Sequence, residues 1–165
     1  MIFNNCLMEK PDYVEWVPAG RIIRGAIFAE TILILVIVAL LVVFVRPLDN
    51  EAIIGIGISL FVMVFVLLLF VNFRGIKIHI SPKKLNVSYG LLNNKTIKLD
   101  EINSCRTVKA SFGRYGGVGV RFGFDGSTAY TTSLGNAVEV NPKKGRVFVF
   151  SSNNPDKICE LISKK

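Results

Sequence analysis

The chain is poor in the residues that carry chemistry. It has one histidine, His79, and three cysteines, Cys6, Cys105 and Cys159, far apart and without a CxxC spacing. That spacing excludes a zinc site of the usual kind. Ser111 and Ser133 have no local base, so no Ser–His–Asp set can be assembled. Acids are scarce, twelve against twenty Lys and Arg. Their one adjacent pair in the rear half, Asp100–Glu101, falls in an expected turn and points two ways. The glycines of 113–126 give neither GxxxxGK[ST] nor GxGxxG ahead of a helix, which argues against a phosphate-cradling loop. They are expected to serve close backbone approach or a bulge. The reading is a non-enzyme with no catalytic residue, cofactor or metal. An odd cysteine count without a framework suits a reducing compartment. Cys105 and Cys159 are expected as buried thiols. The first twenty residues have no basic stretch leading directly into an apolar run, so a secretory signal is not expected.

What the chain does have is two long apolar runs, about residues 25–45 and 52–73, joined by RPLDNE. As helices each is roughly 30 Å long, the thickness of a bilayer's hydrocarbon core. The expected object is a transmembrane helical hairpin over 21–74, between an N-terminal segment (1–20) and a domain over 75–165. Arg21 and Arg24 precede the first run, and Arg74, Lys77, Lys83 and Lys84 follow the second. The link offers only Arg46, offset by Asp49 and Glu51. The positive-inside rule then places both termini in the cytoplasm of a two-span cell-membrane protein. Glu30 is the intramembrane polar candidate, close enough to the helix start to reach the interface. Asn72 lies at the far end of the second run. Gly55, Gly57 and Ser59 are small residues that permit close helix approach, without a GxxxG spacing.

Residues 74–165 hold sixteen Lys and Arg against six acids, a net +10 that outweighs the −2 of the rest and gives the chain its +8. IKIHIS, KLNVSYG and TIKLD alternate apolar and polar residues as half-buried strands. SPKK and GLLNN supply hairpin turns. SCRTVKA, VGVRFGF, AVEVN and RVFVFS read as further strands, and SFGRYGG as a loop. Most of the aromatics Phe122, Phe124, Phe148 and Phe150 fall on alternating positions expected in the core. Asn154 as N-cap, Pro155, Asp156 and the stripe Ile158, Leu161, Ile162 predict a C-terminal helix over 155–163. Tyr13 and Trp16 suit either the headgroup layer or an extended segment added to the rear domain.

About seven short antiparallel strands and then one amphipathic helix resemble the pleckstrin-homology-like (PH-like) superfold. Two spans followed by IKIHISPKKLNVSYGLLNNKTIKLDEI resemble the bacterial membrane-anchored PH-like family at Ile80, Leu85, Ile97, Leu99, Glu101 and Ile102. GRYGGVGVRFGF and GNAVEVNPKKGRVFVFSSNNPDKICELI also look like two-span members of that group. The resemblance covers 21–165 and implies a binding or scaffolding module without a reaction.

The candidate anion- or lipid-contacting residues are Arg74, Lys77, Lys83, Lys84, Arg114, Arg121, Lys143, Lys144 and Arg146. The expected partners are the lipid bilayer, anionic headgroups, and a membrane protein or second copy of the chain. A basic domain at a membrane gains about 1 kcal/mol per Lys or Arg near an anionic surface. Nucleic acid is not expected, because no RNP-type stacking motif is present. The alternative is an assembly subunit that oligomerises through the hairpin. A transporter or enzyme subunit would rest on Glu30 alone.

Overall fold

A computed structural model describes residues 11–44 and 49–164. Cys6 and Arg46 lie outside the described residues. The chain forms two compact units. Ala19–Arg74 is one, and the residues on both sides of it make up the other.

The first unit is two helices, α1 (Arg21–Phe44) and α2 (Asn50–Asn72), packed on one another. Both are long and apolar enough to cross a membrane. Helix α1 starts four residues before the apolar run at Gly25, because Arg21-Ile22-Ile23-Arg24 contains no breaker. Asp49 caps α2 by accepting the Ala52 N–H at 2.8 Å. Thr31 and Ser59 donate their hydroxyls to the carbonyls of Ile27 and Gly55 at 2.8 and 2.9 Å. These hydroxyls therefore need no water. Neither helix buries a residue within the unit.

The second unit begins before the hairpin. Strand β1 (Tyr13–Pro18) pairs antiparallel with β2 (Gly75–Ile80), from Tyr13 opposite Ile80 to Pro18 opposite Gly75. The helical unit is thus an insertion into one β-hairpin. This decides between the two readings of Tyr13 and Trp16: both lie in a strand of the rear domain. β3 (Lys84–Tyr89) and β4 (Asn93–Lys98) complete an antiparallel sheet in the order β1-β2-β3-β4. Its inner face carries Val17, Ile76, Ile78, Ile80, Leu85, Val87, Tyr89 and Ile97, all buried. Its outer face carries Trp16, Lys77, His79 and a polar ladder in which Asn86 Nδ2 donates to Asn94 Oδ1 and Thr96 Oγ1, both at 2.8 Å. Gly75 is required beneath Trp16, since a Cβ there would sit 2.5 Å from the indole.

A 3-10 turn (Leu99–Glu101) leads into the second sheet. It comprises β5 (Ile102–Ala110), β6 (Gly119–Phe122), β7 (Thr128–Thr131), β8 (Gly135–Pro142) and β9 (Phe148–Ser151), in the order β5-β8-β9-β7-β6. A short helix, α3 (Phe112–Tyr115), precedes β6 where the sequence reads as a loop. The β7–β9 pair is parallel. The described residues therefore form nine strands, with one parallel pair, where about seven antiparallel strands are expected. The difference arises from β1 and from the short β7. β5 ends where SCRTVKA does and begins two residues earlier, at Ile102.

Phe148 and Phe150 are buried between the layers, with Tyr130 edge-on to Phe148 at 5.0 Å and Tyr89 of the first sheet 6.2 Å from Tyr130. Phe122 and Phe124 are 68% and 90% exposed, outside the core that their alternation predicts. β6 is an edge strand, so its apolar side has no facing layer to bury it.

Helix α4 (Pro155–Ser163) packs on β5 and β8 and buries Pro155, Ile158 and Ile162. Asn154 occupies its N-cap position without a side-chain capping bond. Cys105 of β5 and Cys159 of α4 form a disulfide, not two buried thiols. The reducing-compartment reading loses its basis with that pair. A second tie joins the termini of the unit. The carboxylate of Glu15, 7% exposed, accepts Tyr13 Oη and Ser152 Oγ at 2.9 Å and the Asn153 N–H at 2.6 Å. A strand before the hairpin is thereby fastened to the segment that enters α4.

Candidate functional site

Edge strand β4 turns Lys95 toward the inner face of its sheet, opposite Val87 in register. The same face continues through Ile97, which is buried. At Lys95 that face is open, and an inward charge on an edge strand keeps other strands from adding there. The hairpin between β8 and β9 comes alongside. The Lys143 N–H donates to the Glu101 carbonyl at 2.7 Å, and Pro142 stands opposite Ile102. Gly145, with φ +103°, makes the turn that brings Lys144 and Arg146 to the same place.

The result is a cleft of about 150 Å³ lined by Lys95, Thr96, Ile97, Glu101, Pro142, Lys144, Gly145 and Arg146. Three cations face one carboxylate. Glu101 is itself paired with Lys98 at 3.3 Å. Among the described residues, Lys95, Lys144 and Arg146 form no ion pair. Arg146 holds its guanidinium 5.9 Å from the centre of the Phe122 ring. That contact is within cation–π range, and a guanidinium engaged in this way keeps N–H groups for an acceptor.

A second charged cluster lies on the opposite face of the second sheet. Glu139 of β8 is 4% exposed. Its Oε1 accepts Arg106 Nε at 2.6 Å, and its Oε2 is 2.8 Å from Arg114 Nη2. That second contact is ionic without an aligned hydrogen bond, because Arg114 aims its N–H groups at Asp125. Arg114 Nε donates to Asp125 Oδ2 at 2.8 Å. Ser127 donates its hydroxyl to Asp125 Oδ1 at 2.6 Å and its backbone N–H to the same oxygen at 3.1 Å. These bonds, the Ser127 hydroxyl first, hold the Asp125 pKa at about 2. Burial pushes the Tyr115 phenol up. Gly123 belongs to this cluster, as a Cβ there would sit 2.5 Å from Asp125 Oδ1 and Ser127 Oγ. The cluster neutralises its own charges and pins α3 and the 123–127 turn over the sheet. Its role is structural.

Of the candidate basic residues, the cleft gathers Lys144 and Arg146, with Lys143 in the same turn. Lys77 stands on the outer face of the first sheet, 6.0 Å from the Trp16 ring. Lys84 is opposite Lys98 there, and the Lys83 carbonyl accepts the Leu99 N–H. Arg114 serves the Glu139–Asp125 cluster. Arg121 donates to the Val118 carbonyl at 3.1 Å. Arg74 closes the helical unit, its carbonyl accepting the Ala19 N–H at 2.7 Å. Glu30 is an exposed residue of α1. Sequence reasoning missed Lys95, although a cation two residues before Ile97, on the same face of the strand, marks an edge. Among the described residues no group of three or more His, Cys, Asp or Glu is placed to hold a metal.

No family model, no curated protein and no solved structure matches the chain.

Proposed function

We propose that the chain is a non-enzymatic integral membrane protein whose β unit is a basic, PH-like interaction module that binds anionic headgroups at the membrane surface. The observation that carries this reading is the cleft, where three cations without ion partners among the described residues converge on one small concavity. Two helices of spanning length keep that module at a bilayer. Two sheets ending in a helix support the PH-like part of the reading, and the strand before the spans and the parallel pair are its departures from that layout. The positive flanks Arg21, Arg24, Arg74 and Lys77 favour a cytoplasmic position for the module. The disulfide favours an oxidising side. Labelling of a single introduced surface cysteine by a membrane-impermeant reagent decides between the two.

The test of the function is the lipid retained by the full chain purified in mild non-ionic detergent. Enrichment in anionic lipid is expected for the wild type and its loss on replacing Lys95, Lys144 and Arg146 together by Ala. Equal lipid profiles would refute the reading.

Assembly through the hairpin is the second reading. A Cβ added at Gly55 or Gly57 would meet no atom within 4 Å, so neither lies against α1 and both leave backbone open to close approach. In-membrane crosslinking that yields only monomer would rule it out.

A further inference from the structure

We infer that the cleft between β4 and the β8–β9 turn takes a phosphate monoester: one terminal phosphoryl group, carried by a lipid headgroup or by a soluble ester. The inference rests on the reading of this cleft as the module's anion site and names its ligand class.

Size is the first argument. Pockets for drug-sized ligands and cofactors run to about 300–1,000 Å³. This one is about 150 Å³. It admits one small anionic group and leaves the remainder of the ligand outside, as a headgroup or ester would require.

Charge is the second. The lining carries Lys95, Lys144 and Arg146 against Glu101, a formal +2. A phosphate monoester carries about −1.5 to −2 at neutral pH, whereas a diester or a carboxylate carries one charge. Of the three, the monoester offsets most of the lining charge. Lys98, at 3.3 Å from Glu101, reduces the repulsion that this carboxylate would exert on an incoming anion.

Donor geometry is the third. A planar guanidinium meets two phosphate oxygens with parallel N–H bonds, and ammonium groups act as point charges from other directions. The cleft supplies one fork and two points, with the Thr96 hydroxyl as a further polar group. The fork lies 5.9 Å from the centre of the Phe122 ring, and the turn bearing it is held by the Lys143–Glu101 backbone bond. The backbone that carries the donors is therefore in place before the ligand arrives, which lowers the ordering cost of binding.

The experiment is calorimetric titration of the full chain in a zwitterionic detergent at pH 7.5 and low salt. The ligands are short-chain phosphatidic acid, short-chain phosphatidylglycerol and inorganic phosphate. The monoester lipid is expected to bind at least about tenfold more tightly than the diester lipid, and K144A/R146A to weaken it by about tenfold or more. Inorganic phosphate that binds and competes supports a soluble-ester source. Monoester lipid binding without inorganic phosphate binding supports a headgroup source. K109A, an exposed cation on β5 away from the cleft, is expected to leave all affinities unchanged, and both variants to keep the wild-type circular dichroism.

Equal affinity for the two lipids, still lost in K144A/R146A, would overturn the monoester inference and leave the anion-binding function standing. Affinities that are the same in wild type and K144A/R146A would overturn both.

Discussion

Replacing Glu15 by Ala removes the tie between β1 and the entrance to α4. Three donors lose their acceptor: Tyr13 Oη, Ser152 Oγ and the Asn153 N–H. Ser152 is 4% exposed, so its hydroxyl keeps little access to water. A buried donor left without a partner costs about 1–3 kcal/mol. Asn153 and Tyr13 lie at more open positions and recover part of their loss from solvent. The expected total is about 2–4 kcal/mol, a large share of the ~5–15 kcal/mol that holds a domain together. The chain's one tryptophan makes the assay specific. Trp16 is in β1, 41% exposed, with its indole over Gly75. Its emission in a urea titration of the full chain in mild detergent reports the undocking of β1 without interference from the helices. With a slope of about 1–3 kcal/mol/M, the midpoint should fall by about 1–2 M. Glu15→Gln keeps the shape and one acceptor oxygen, so it should fall between. A Glu15→Ala midpoint within about 0.3 M of the wild type would refute the argument that this carboxylate fastens the strand.

The remaining predictions concern the β unit. Because Pro18 and Gly75 are register partners, joining 11–18 to 75–165 through Asn-Gly should give a water-soluble, monodisperse domain, while 75–165 alone should aggregate or lose cooperative unfolding; size-exclusion chromatography and thermal melts check both. Breaking Cys105–Cys159, which closes a separation of 54 residues, should cost about 4 kcal/mol by chain entropy, measured by comparing oxidised chain with C105S/C159S in denaturant. The pKa of Asp125 is lowered from 3.8 to about 2, so its contribution is present above about pH 4 and is lost as pH falls toward 2; acid titration of wild type should show a step in that window that D125N lacks.

The parts of this fold legible in the sequence are those governed by local pattern. Two apolar runs of spanning length need no partner to be recognised as helices. The alternation of Ile76, Ile78 and Ile80, and of Leu85 and Val87, assigns β2 and β3 and even their buried faces. Pro155 and the Ile158–Ile162 stripe place α4 at its observed limits, Pro155–Ser163. Two cations of the cleft, Lys144 and Arg146, are legible as a basic turn.

Contacts between distant residues were decided only in three dimensions. β1 pairs across the whole helical hairpin, and nothing in YVEWVP states that its partner begins at Gly75. Cys105 and Cys159 have no spacing signature, and their bond follows from α4 docking on β5. Arg114 was a surface cation by pattern and became the partner of Asp125 and Glu139 because α3 folds over β8. Lys95 joined Lys144 and Arg146 because the end of β4 and the β8–β9 turn meet. Periodicity reports the face on which a residue lies, whereas register and sheet order report which faces meet, and these are set by the burial of the whole domain. The spans and most strands thus came from local periodicity, and the cleft came from the meeting of two sheets.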